Sequence, residues 1–214
     1  MQNQNGHAPS PDLSLAMHHK FNSLEKAEPR LLIPVISLST LREVDRGTEE
    51  VVAKQRNVHG NVAILLRLVE ESYSKKAWHG PNLRGSLRGV TLEQASWRPG
   101  PHRHNIWEIV VHCAYWKYIA RRRMLNERTG SFPLRGSNWF KRPMVYTSKA
   151  LSHDIALLEA THTKLIGAIK ILEPRKLSQI PRNGSTSAET LVRGIASHDV
   201  YHAGQIQLLK KLMQ

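Results

Sequence analysis

The sequence predicts an all-α protein, a bundle of four helices occupying the chain from about residue 55 onward. Three observations carry that prediction. Apolar residues recur at helical spacing in four separate segments. Period-two alternation, the mark of a half-buried strand, is absent. The prolines fall between the four segments and never inside them.

The first helix is expected over 56–77, where Val58, Val62, Leu65, Val69 and Tyr73 follow one another at steps of 4, 3, 4 and 4. "WHGPNLRGS" (78–86) breaks it with Gly80, Pro81 and Gly85. A short helical turn is expected within 87–97. The second long helix runs from about 105 to 125, with Asn105 as its cap and Glu108 three residues later. The 126–144 link is long for a bundle and rich in Gly, Pro and aromatics, which suits a functional lid or a crossover. The third helix covers 145–172 and stops before Pro174. The fourth runs from about 187 to the end, with Ser185 or Ser187 as cap and Glu189 in its first turn.

Residues 1–54 read as a poorly ordered or lineage-specific N-terminal extension. They contain Pro9, Pro11, Pro29 and Pro34, few aromatics and no sustained period, with at most a short helix around 39–55. The apolar run "LLIPVISL" (31–38) is too short to span a membrane and starts too deep for an ordinary signal peptide. With one cysteine, Cys113, no intrachain disulfide can form, so a cytoplasmic location is expected.

The net charge of +14 is unevenly spread. Residues 1–55 carry 6 Lys and Arg against 7 Asp and Glu; residues 56–214 carry 25 against 10. The basic character therefore belongs to the folded part. It suits anionic small substrates or simple solubility. A nucleic-acid reading would need a basic stripe, and the one tight cluster is "RRR" at 121–123.

The chemistry lies in "SHDVYHAGQIQLL" (197–209). Leu191, Ile195, His198, His202, Gln205 and Leu209 form a 4-3-4-3-4 progression, the spacing of a bundle seam. Uncompensated polar groups on such a seam are destabilising by about 1–3 kcal/mol each. Two histidines at i, i+4 on one face match the geometry for holding one metal ion. The near match to the zinc-protease signature is not a protease. Asp199 is one methylene short of the general-base Glu, and 203–214 holds no third ligand.

The third ligand must come from upstream, and His112 is the best candidate. It interrupts the seam Ile109, His112, Trp116, Ile119 of the second helix. His153 and His162 are nine residues apart and face opposite ways, so at most one of them points inward. The competing interpretation makes each of these histidines a hydrogen-bonded core residue. Each ligand needs a partner for its other ring nitrogen; Glu108, one turn before His112 on the same face, could serve, and so could Asp199, although at ~100° from His198 it better fits a solvated or interhelical carboxylate. Gln205 could orient a substrate or water, and Trp116 and Tyr201 could line an apolar substrate pocket; each also fits a plain packing role. Cys113 is expected to pack as a small hydrophobe.

"AWHGPNLRGSLRGVTLEQASWRP" (77–99), "HNIWEIVVHCAYWKYIARRR" (104–123) and "TLVRGIASHDVYHAGQIQLLKK" (190–211) together resemble the DinB/YfiT-like superfamily. The H-D-x-Y-H-A-G-Q-I run is the most specific of these. The resemblance covers about 60–214 and leaves out 1–55. It implies an antiparallel four-helix bundle with a long crossover connection, and it places a three-histidine metal site on His112, His198 and His202. It also implies a divalent ion (Zn, Ni, Fe or Mn), a low-molecular-weight thiol as cosubstrate, and a homodimer. Relatives include bacillithiol transferases and mycothiol-dependent maleylpyruvate isomerases, and others were proposed as hydrolases. The expected function is a metal-dependent thiol S-transferase or hydrolase acting on a small-molecule substrate. The alternative is a non-catalytic metal-binding stress protein of damage-inducible type, with nucleic-acid binding less favoured and no membrane partner.

Overall fold

A computed structural model describes Thr48 and residues 60–213 except Thr129 and Asn183. The expected N-terminal extension lies outside the described residues, as does the short helix at 39–55 apart from Thr48. Among the described residues there are helices and no strands, so the all-α expectation holds.

Helix α1 is described over 60–73. It stops short of the expected 77 because the amides of both Ser74 and Lys75 turn back onto the Glu70 carbonyl. Asn82 then accepts from the Gly85 amide and caps a single turn, α2 (Leu83–Ser86). The sequence reading took that stretch only as a break. Thr91 and Gln94 close a reciprocal capping box on α3 (Leu92–Ser96).

Helix α4 (Ile106–Met124) starts on Asn105, whose side chain accepts from the Glu108 amide at 2.8 Å. Helix α5 (Ser148–Lys170) is capped by Thr147, leaving Val145 and Tyr146 exposed outside the helix. A 3-10 turn at Pro174–Lys176 follows. Helix α6 (Ala188–Leu212) is capped by Ser187, with Glu189 in its first turn as expected.

The core divides into two clusters along the bundle. One gathers Tyr73, Ile106, Trp107, Ile109, Val110, Cys113, Leu151, Leu158, Ile206 and Leu209. The other gathers Leu65, Val69, Ala120, Met124, Leu165, Ile169 and the first half of α6. Helices α4 and α5 pass through the clusters in one order; α1 and α6 pass in the reverse order. Consecutive long helices that run the same way cannot be joined by a tight turn. The 125–147 connection has to travel the length of the bundle, and it acts as a crossover.

The centre of the core is charged. On α4 the deepest row is Val110, Cys113, Lys117, Ala120 and Met124; on α6 it is Val192, Ala196, Asp199, Ala203 and Ile206. Lys117 and Asp199 are both fully buried and pair with each other through Nζ and Oδ2. The Lys117 ammonium also lies over the Tyr73 ring, 4.9 Å from its centroid. Burial pushes the Asp199 carboxyl up to about 6, against the pull of Lys117.

Candidate metal centre

The three histidines singled out from the sequence come together. His198 Nε2 lies 3.1 Å from His112 Nε2 and 3.1 Å from His202 Nε2. Their ligand atoms all fall within 4.8 Å of one another. Metal–nitrogen bonds of ~2.0–2.1 Å in a tetrahedral site would set neighbouring nitrogens ~3.3 Å apart. The observed spacing is close to that.

The outer nitrogens orient two of the three rings, while His198 Nδ1 is buried without a hydrogen-bond partner among the described residues. His112 Nδ1 lies 2.8 Å from the Asn138 carbonyl, and His202 Nδ1 lies 2.6 Å from Gln205 Oε1. Both oxygens can only accept, so each Nδ1 carries the proton. That tautomer leaves the Nε2 lone pair free to point inward. Burial lowers the pKa of all three rings, to about 3 for His198 and about 4 for His202, with the neighbouring imidazoles adding to the effect. Neutral imidazoles with convergent lone pairs are a fit for a divalent cation.

Glu108 does not orient His112, contrary to the sequence reading. Its carboxylate takes Arg98 and His104 at 2.9 and 3.0 Å and the Arg142 amide at 3.1 Å. Burial raises the Glu108 pKa, but these donors outweigh it and hold the carboxyl below its ordinary value. The same knot ties the far end of the crossover to the bundle. Asn105 Nδ2 donates to the Arg142 carbonyl, and Arg142 Nε and Trp107 Nε1 both donate to Asp154.

The partner of His112 is instead Asn138, on the crossover. Asn138 sits at φ 63°, a left-handed conformation that asparagine tolerates better than most residues. Its carbonyl orients His112 and its Oδ1 accepts from Trp116 Nε1 at 2.9 Å. Next to it, Trp139 stacks between His112 and His104, with ring centroids 3.8 and 3.6 Å apart. Neither residue was singled out in the sequence. The composition of the 126–144 link pointed to that segment without pointing to them.

Asp199 lies deep between helices, fully buried. A second cluster, Cys113, His198 and Asp199, also brings ligand atoms within 4.8 Å. It is a poor metal site: Asp199 Oδ2 is taken by Lys117, and burial drives the Cys113 pKa well up, keeping the thiol protonated. Cys113 packs as a buried hydrophobe, as expected. Of the helical histidines left over, His162 is buried against Tyr73 and His153 is exposed.

A cavity of about 590 Å³ opens between α4 and α6, and His112, His198 and His202 form one part of its wall. Trp116 and Tyr201 line it. Gln205 is not among its lining residues; it stands behind His202 and donates to the Tyr201 hydroxyl at 3.0 Å. The "HGP" turn contributes Gly80 and Pro81 to a different cavity, and Trp78 is fully exposed.

A family model of the DinB superfamily matches residues 77–206. The chain belongs to the DinB superfamily. The match takes in the first two stretches on which the sequence resemblance rested and most of the third, and so all three histidines. No curated protein and no solved structure matches the chain. None of the described helices is long and apolar enough to cross a membrane.

Proposed function

We propose that this DinB-superfamily chain is a metal-dependent enzyme in which His112, His198 and His202 hold one divalent ion. Its reaction is thiol-dependent S-transfer to a small substrate, or hydrolysis of one. The observation that carries this reading is the convergence of three neutral Nε2 atoms on the wall of a cavity large enough for a small molecule. An ion bound there, whether Zn, Ni, Fe or Mn, would supply Lewis acidity that lowers the pKa of a thiol or water at neutral pH.

The chain's own residues have separable tasks. Asn138 and Gln205 hold the protons on His112 and His202 at Nδ1, so that Nε2 stays available. Trp139 fixes the plane of His112 by stacking on it. Trp116 and Tyr201 give the cavity an apolar face near the histidines, for substrate to lie against. Gln205, whose amide nitrogen reaches Tyr201, keeps a place in substrate binding through that residue.

We carry the homodimer and the cytoplasmic location within this reading. Exposed Leu208 and Leu212 give α6 an apolar stripe for a second copy, and a lone buried cysteine suits a reducing compartment.

One observation favours the second reading, a non-catalytic metal-binding stress protein. Among the described residues that line the cavity there is no Asp or Glu to act as a general base. The deciding experiment measures metal content in untagged protein and in His112→Ala, His198→Ala and His202→Ala. Near-stoichiometric metal in the wild type, lost in each variant, is expected. Metal retained by all three would overturn the site. Turnover of a chromogenic electrophile with a cellular thiol then separates the enzyme from the binding protein.

A further inference from the structure

The three arginines that end α4 do not behave alike. Arg121 is paired bidentately with Glu127, at 2.6 Å for each contact, and Arg122 donates to the Glu127 carbonyl at 3.1 Å. Both are thereby tied to the start of the crossover. Arg123 has no ion pair and no side-chain hydrogen bond among the described residues, and it lines the cavity of the candidate metal centre. Complementing the helix dipole does not explain that choice of face, because Arg121 and Arg122 serve the dipole equally well.

Helix geometry sets where Arg123 stands. It follows His112 by eleven residues, so it returns to within ~20° of the same face, ~16 Å further along the axis. Trp116 and Ile119 lie between them on that face. Helix α6 runs in the reverse sense, so its first turn meets the end of α4. Thr186 and Thr190 therefore join Arg123 at the end of the cavity remote from the histidines. Between the two ends the walls are mostly apolar, with Ala120, Leu191 and Ile195. Among the described residues, no carboxylate lines the cavity to neutralise the guanidinium.

We propose that Arg123 is an anion-binding subsite that selects ligands with an apolar body and a terminal carboxylate or phosphate, the opposite end reaching the three histidines. This rests on the metal-dependent reading above. A guanidinium fork takes either anion through paired hydrogen bonds, and the mostly apolar walls of the cavity strengthen them. The groove sets the ligand's length, and Arg123 sets its charge and direction.

The test uses the full chain loaded with Co(II), with binding read from the thiolate-to-cobalt charge-transfer band. The probes are 11-mercaptoundecanoate, 11-mercaptoundecanol and 3-mercaptopropionate. The long carboxylate should bind at least ~10-fold more tightly than the alcohol of equal length, as expected for a charge-assisted hydrogen bond. Arg123→Ala should abolish that gap, Arg123→Glu should invert it, and neither should change binding of the short acid. Equal affinity of the long acid and alcohol for the wild type would overturn the proposal. So would an Arg123→Ala loss shared equally by all three thiols.

Failure of the metal site is recognised separately, as absence of the band with every thiol. In that event calorimetry on metal-free protein with undecanoate and undecyl phosphate decides the matter. Binding that Arg123→Ala removes supports the subsite, and no binding of either anion overturns it.

Discussion

Replacing Lys117 with methionine tests the charged centre of the bundle. Methionine fills a similar volume and removes only the ammonium. Asp199 is fully buried and, among the described residues, its Oδ1 lacks a partner and Lys117 supplies its one countercharge. Breaking a buried pair by removing one member is destabilising by ~3–5 kcal/mol, because a charge is left without solvent or partner. For a domain of this size that is a fall in Tm of roughly 6–20 °C. Asp199→Leu alone strands the ammonium, which keeps only the face of Tyr73, and should be destabilising to a similar degree. The double variant Lys117→Met with Asp199→Leu leaves apolar side chains facing each other. It should lie within ~1–2 kcal/mol of the wild type, or above it. Urea denaturation followed by circular dichroism gives the four stabilities of the cycle. A coupling energy below ~1 kcal/mol, with the two single losses simply adding, would show that the pair is not the isolated buried unit described above.

Two further outcomes follow from the site and its surroundings. His162, buried against Tyr73 with its Nδ1 unpartnered, has its pKa lowered to about 3 by burial and by Lys117. The unfolded chain therefore takes up a proton there that the native state refuses, so this one ring's contribution is full above pH ~6.5 and is lost by up to ~1.4 kcal/mol per pH unit below it, beside like contributions from His198 and His202. His162→Phe should make that slope shallower by up to ~1.4 kcal/mol per pH unit between pH 6.5 and 4.5 in urea titrations, whereas parallel curves for the two proteins would contradict the assignment. At Asn138, Gly keeps the carbonyl that orients His112 and relieves the φ of 63°, while Ala keeps the carbonyl but strains the backbone by ~1–2 kcal/mol. Metal affinity should therefore change little in Asn138→Gly and thermal stability should drop in Asn138→Ala; loss of metal in the Gly variant would show that the side chain, not the carbonyl, governs the site.

The sequence by itself determined the helices and the three histidines that converge. Both follow from local rules. Asn105 and Ser187 cap because their side chains reach amides three residues away, and His198 and His202 share a face because 3.6 residues make a turn. His112 was legible as a polar break in an apolar row. The seam itself was read slightly off. The row through His198 and His202 borders the cavity, and the deepest row is one position on, through Asp199.

Lys117 was overlooked for the same reason. A lysine among Val110, Cys113, Ala120 and Met124 is as clear an interruption as a histidine, but its meaning depends on Asp199, 82 positions away. Tertiary structure alone decided the remaining pairings. Glu108 sits one turn from His112 yet is claimed by Arg98 and Arg142, while Asn138 reaches His112 from a connection whose path no local rule sets. Capping and periodicity act within a few residues, where the helix fixes the geometry in advance. Which acceptor meets which imidazole, and which of three adjacent arginines faces the cavity, depends on how the crossover and α6 settle against α4.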